Sequence, residues 1–186
     1  MAISLSRHLA RFVAGLSYED IPAEIVDKAK AATLHNIGAA LVGANTGRGK
    51  ETAHLIRQEE PKADGATILV NGGKVTRMGA TFANSELMHI TNQCDSYRML
   101  THPGPMVISS ALATAEVDGK SGKEFLTAVV SGYEVQTRIA KDFIPTTQAR
   151  GFRSSPIYGV FGAAVCTAKL LGFTEDQMMT TIALAD

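Results

Sequence analysis

The densest run of chemically capable side chains is His89-Ile-Thr-Asn-Gln-Cys-Asp-Ser-Tyr97, which follows an apolar stretch and leads into Thr101-His102-Pro103-Gly104. An imidazole such as His102 titrates near neutral pH and can carry a proton to or from a substrate. Pro103 suits the first position of a helix, where its missing N–H costs nothing, with His102 or Thr101 as the cap. The free N–H groups and positive dipole end of that helix would point at whatever lies beside His102.

A second helix start has the same design. In Gly151-Phe-Arg-Ser-Ser-Pro156 a basic side chain and two hydroxyls precede a proline. Arg153 can grip a carboxylate through two parallel N–H bonds. If the two starts face one cleft, His102, Arg153 and two sets of backbone donors converge on an anion, which fits a small di- or tricarboxylate. The competing expectation is two capped helices at the surface, with an exposed histidine and arginine. His8, His35 and His54 fall in helical stretches and read as solvated or structural.

Other patterns carry less. Gly43-Ala-Asn-Thr-Gly-Arg-Gly-Lys50 has the look of a phosphate loop, but Ala44 and Glu51 stand where that pattern needs Gly and Ser or Thr. The spacing of His89, Cys94, Asp95 and His102 matches no zinc site, so no metal is expected, and no cofactor. No Gly-x-Ser-x-Gly elbow is present for a serine hydrolase.

The elements that must position these residues are mainly helical. Periodicity and caps predict helices over about 3–15, from Ser17 to Gly43, 49–60, 79–91, 103–117, 122–143, 155–171 and from 175 onward. Ser121-Gly-Lys-Glu124 and Thr174-Glu-Asp-Gln177 both fit the capping box. The helix at 155–171 is apolar nearly all round and should be the most buried, with Gly159 and Gly162 admitting a close neighbour. One small β-hairpin is expected at about 66–78, where Ala66–Val70 and Lys74–Met78 flank Asn71-Gly72-Gly73. Met178, Ile182 and Ala185 are still in helical period at Asp186, so the chain is expected to stop in mid-helix.

Composition narrows the partners. Eighteen basic residues balance eighteen acidic ones, so no overall field draws nucleic acid or an anionic membrane. The longest apolar stretch, Ile157–Ala168, is too short to span a bilayer. Cys94 and Cys166 are too few for a disulfide framework and read as reduced thiols of a cytoplasmic protein. The first eighteen residues carry Arg7, His8 and Arg11 without an acid, as mitochondrial presequences do. Their apolar positions run on without a break, so an amphipathic helix of the folded chain is expected, and the mitochondrial matrix is the alternative location.

Five blocks occur in a distinctive order: Leu34-His-Asn-Ile-Gly38 through Gly43, His89–Ser96, Thr101-His102-Pro103, Ser131-Gly-Tyr-Glu-Val135, and Gly151-Phe152 ahead of a glycine- and alanine-rich helix. Together they resemble the MmgE/PrpD family, which includes 2-methylcitrate dehydratase, cis-aconitate decarboxylase and iminodisuccinate epimerase. The resemblance runs over essentially all 186 residues. It implies a helical domain, here residues 1–186 as an incomplete N-terminal portion, with the family's α/β lid domain absent. It also implies a homodimer, a second chain that could supply the lid, and a lyase, a hydro-lyase above all, working without metal on small polycarboxylates. His102 and Asp95 would be catalytic, and Asn92, Ser96, Arg153 and His89 would bind substrate.

The chain departs from the family pattern in telling places. Asn92 and Cys94 replace two aspartates of the acidic block, Ser96 replaces a threonine, and His35 stands where the family has Asp. Arg153 stands where the family has a histidine, and a guanidinium cannot act as a general base. These departures keep a second expectation open: a non-catalytic paralogue that serves as a dimerisation or ligand-binding module.

Overall fold

A computed structural model describes residues 4–98 and 101–185. Ile3, Asp186 and the Met99-Leu100 pair, all within segments discussed above, lie outside the described residues. The fold is mainly α, with one small antiparallel sheet.

Helix α1 (Leu5–Gly15) starts at Ser4, whose hydroxyl accepts from the Arg7 N–H. Its Ala10 and Val13 pack on Met178 and Ile182 of the last helix, α9 (Glu175–Leu184). Arg7 and Arg11 reach across the same seam to Glu175, and Arg7 also pairs with Asp176. The cations that resemble a presequence by composition are therefore engaged in the fold.

The stretch from Ser17 is two pieces. Ser17 and Asp20 bond to each other around a single 3-10 turn at Tyr18–Asp20, and α2 (Ala23–Gly43) begins only after Pro22. Helix α3 (Gly47–Glu59) starts two residues before the expected Gly49, because the Thr46 hydroxyl accepts from the Gly49 N–H at 3.0 Å.

The hairpin is shifted and shortened. Strand β1 (Pro61–Thr67) begins earlier than expected, and β2 (Lys74–Val75) has two residues, paired as Ala66 with Val75 and Thr67 with Lys74. The physical cause lies in α4 (Arg77–His89). Thr76 caps that helix by accepting from the Gly79 N–H at 3.0 Å, so 76–78 cannot extend the strand. Buried Asn84 of α4 accepts from the Leu69 N–H at 2.8 Å and donates to the Thr67 carbonyl at 3.0 Å. That amide takes over backbone groups a longer ladder would have used.

Helices α5 (Pro103–Val117), α6 (Gly122–Ala140), α7 (Ile144–Ala149) and α8 (Ser154–Leu170) complete the body, and both expected capping boxes form, at Ser121–Glu124 and Thr174–Gln177. Helix α6 stops three residues early, and α7 is an element the pattern did not predict. Pro145 explains both: it lacks an N–H and cannot continue a helix that began before it.

The most buried helix is α5, with eleven of its fifteen residues buried, and not α8, which exposes Ile157 and Val160 on its outer side. Helix α5 is enclosed by α2, α4, α6, α8 and β1. Its small side chains admit neighbours on every side, and buried Ser109 hydrogen-bonds back to the Pro105 carbonyl. Close approach of α6 to α8 depends on glycine: a Cβ on Gly132 would meet Val107 and the carbonyl of Gly162. Among the described residues no helix is long and apolar enough to cross a membrane.

Candidate active site

The segment after α4 turns at an unusual backbone position. Asn92 adopts φ +54°, a left-handed conformation that Asn tolerates better than most side chains. Its N–H closes a turn onto the His89 carbonyl at 2.9 Å. The chain then buries Cys94 and carries Asp95 inward.

Asp95 is gripped from three elements. Its Oδ1 accepts from Asn36 Nδ2 of α2 at 3.1 Å and from the Gly104 N–H in the first turn of α5 at 3.0 Å. Its Oδ2 accepts from the Tyr133 hydroxyl of α6 at 2.7 Å. The carboxylate thus satisfies an orphan donor of α5, whose N-cap residue, His102, makes no side-chain cap bond. Burial, then the adjoining Asp95 charge, raises the Tyr133 phenol well above its usual value, so it stays protonated and donates.

His102 is held at two atoms. Its Nδ1 lies 2.9 Å from the main-chain oxygen of Asp95. A carbonyl can only accept, so Nδ1 carries a hydrogen, and in the neutral ring the lone pair is then at Nε2. The main-chain N–H of His102 donates to Ser155 Oγ at 3.0 Å. The starts of α5 and α8 therefore meet, which is the condition the sequence left open. The His89 ring stands edge-on to the His102 ring at 5.3 Å. Burial, then His102 and Arg153, lowers the pKa of His89 and favours its neutral form.

Beside these groups lies an open cleft of about 570 Å³. Arg48, Glu86, His89, Asn92, Arg153 and Ser155 supply its polar wall, and Met106 and Val160 are among its apolar lining. Arg48 Nη2 sits 2.7 Å from Glu86 Oε1, an ion pair by distance whose angle falls outside hydrogen-bond alignment. Arg153 forms no salt bridge among the described residues and is exposed.

The structure brings together His89, Asn92 and Arg153 in the cleft wall, with His102 behind them against His89 and Ser155. Asp95 and Ser96 are not among the lining residues, and Ser96 is exposed. Sequence reasoning gave no role to Asn36, Tyr133, Arg48 or Glu86. Asn36 had a signal, a polar residue on the buried side of α2 with Ala29, Ala39 and Ala40. Arg48 and Glu86 had none.

A profile of the MmgE/PrpD N-terminal domain matches residues 7–185. Over nearly its full length the chain is 27% identical to a cis-aconitate decarboxylase-like protein of Aspergillus oryzae, with 98% of this chain and 39% of that protein covered. It is 25% identical to cis-aconitate decarboxylase of Aspergillus terreus, covering 97% of this chain and 38% of the relative. Against the human cis-aconitate decarboxylase it is also 25% identical, covering all of this chain and 40% of the relative. The chain thus spans about two fifths of the length of these curated relatives.

Proposed function

The chain belongs to the MmgE/PrpD family through its N-terminal domain, and from that premise we propose that the cleft beside His102 is a part of a lyase active site for small di- or tricarboxylates. In this reading Arg153 binds a substrate carboxylate, and Asn92 and neutral His89 orient it. His102 Nε2 takes the proton α to a carboxylate; in a decarboxylation it would first take a proton from solvent and deliver it to the carbon whose bond to the departing carbon dioxide breaks. The curated relatives named as cis-aconitate decarboxylases favour an unsaturated tricarboxylate as the first candidate ligand. The family resemblance adds a homodimer and an α/β lid domain, which would exclude water from the reacting carbon.

One observation carries the proposal: the His102 N–H to Ser155 bond, which joins the two helix starts beside a cleft that holds Arg153. Calorimetric titration of the purified chain with cis-aconitate and citrate tests it. Saturable 1:1 binding is expected, weakened about tenfold or more by Arg153→Ala, the scale of a lost hydrogen bond to a charged group. Absence of saturable heat with either acid would count against the reading.

The alternative, a non-catalytic binding module, is favoured by Arg153 itself, since a guanidinium cannot replace a proton-transferring imidazole. Isotope from solvent separates the two. In deuterated water an enzyme exchanges a carbon-bound hydrogen of the acid, or places deuterium on the carbon that loses carbon dioxide, at a His102-dependent rate, whereas a binding module does neither.

A further inference from the structure

Both oxygens of the Asp95 carboxylate are occupied by the protein's own donors: Asn36 and the Gly104 N–H at Oδ1, and Tyr133 at Oδ2. Those donors come from α2, α5 and α6, so the residue is pinned from three directions. Its main-chain oxygen, fixed with it, is the acceptor for His102 Nδ1. We infer that Asp95, held by Tyr133 and Asn36, is a positioning residue that sets the tautomer and ring orientation of His102 and does not meet substrate. The inference rests on the reading of His102 as the proton-transfer group of the cleft.

Geometry and small free energies together set the His102 tautomer. The two neutral forms of an imidazole differ little, so the partner of one nitrogen decides which nitrogen is left bare. A carbonyl at Nδ1 selects the form with a free lone pair at Nε2, the only form that can accept a proton there. That selection fails if the carbonyl wanders, because Nε2 would then carry the hydrogen part of the time.

The surroundings leave Asp95 little freedom. A Cβ on Gly104 would run into Asp95 Oδ1 and the Asn36 amide, so the carboxylate fills the space a side chain would need. Asn36 is fully buried and donates to the Ala32 carbonyl as well, at 2.9 Å. Tyr133 is the donor at Oδ2, and Tyr133→Phe removes that hydroxyl while keeping the ring.

The test is nuclear magnetic resonance of the full 186-residue chain labelled with ¹⁵N-histidine. It is recorded without ligand at about pH 8, above the ordinary imidazole range. In the unaltered chain the Nδ1–H form is expected to dominate at His102. Tyr133→Phe and Asp95→Asn should each lower the ratio of Nδ1–H to Nε2–H there by about fivefold, the equilibrium equivalent of one ordinary hydrogen bond. His8 of α1 serves as the unaffected reference. A dominant Nε2–H form in the unaltered chain overturns the inference. So does a Tyr133→Phe variant that melts earlier yet keeps the His102 ratio, which would leave Tyr133 purely structural. If Asp95→Asn does not fold, Tyr133→Phe decides alone. No ligand enters the measurement, so failure of the chain to bind a polycarboxylate is a separate result from failure of this one.

Discussion

The main-chain N–H of His102 donates to the side chain of Ser155 across 3.0 Å, joining the first turn of α5 to the first turn of α8. Two helix starts 53 residues apart in sequence become one wall. Each supplies what the other lacks: His102 a group that can carry a proton, and the Arg153 turn a fixed positive charge. The Asp95 loop then locks His102 from the opposite side.

Gly104 is required for space. In Gly104→Ala the new methyl meets Asp95 Oδ1 and the Asn36 amide, both tethered elsewhere. Alanine is otherwise the better helix former by about 1 kcal/mol, so a neutral site would be stabilised. Crowding of a packed site costs about 1–3 kcal/mol. Urea denaturation should therefore show a lower midpoint for the variant, and an equal or higher midpoint would mean the pocket yields.

Asn84→Ala should be costly for a different reason. It strips partners from the part-buried Leu69 N–H and Thr67 carbonyl, at about 1 kcal/mol for each hydrogen bond lost. Denaturation should register the loss. Hydrogen exchange at Leu69 should speed up more than at Val75, which stays within the ladder.

His89 makes stability depend on pH with a definite sign. Its folded pKa lies below the unfolded value of about 6.5, so the unfolded chain binds more protons in the window between the two. Its contribution is full above about pH 6.5 and declines as pH falls through that window toward the folded value. Denaturation from pH 8 to 5 should show this component in the unaltered chain and not in His89→Gln. Equal pH slopes in the two proteins would contradict it.

Both thiols should be inert in the folded chain. Burial first, then the Asp95 charge, pushes Cys94 up to about 11, and burial pushes Cys166 up to about 12. Thiolate is the reactive form. Iodoacetamide at pH 8 should label neither until denaturant is added, and rapid labelling of Cys94 would show that the loop opens.

Much of the fold was legible because helix starts are written locally. Ser121 with Glu124, Thr174 with Gln177, and Pro103 each announce a helix within a few residues, and each helix forms there. What escaped depended on distant partners or on one overriding residue. Thr76 could serve a strand or cap α4, and only the packing of Asn84 against the loop decides it. Pro145 set the end of α6 and the start of α7, against an apolar period that ran to 143. The burial of α5 came from small residues whose neighbours on all sides are not visible in one strand of sequence. At the site, His89, Asn92, His102 and Arg153 were legible as chemistry-bearing types near helix ends. The grip on Asp95 was not, since Asn36 lies 59 residues before it and Tyr133 lies 38 after.

The central claim, that the cleft beside His102 receives the carboxylate ligand, is tested most directly by following all five histidines by nuclear magnetic resonance during a cis-aconitate titration. His89 and His102 should shift together and saturate at one equivalent, while His8, His35 and His54, which are exposed and not among the cleft-lining residues, hold still. Saturating shifts confined to any of those three, or no saturable shift at His89 and His102, would contradict the account.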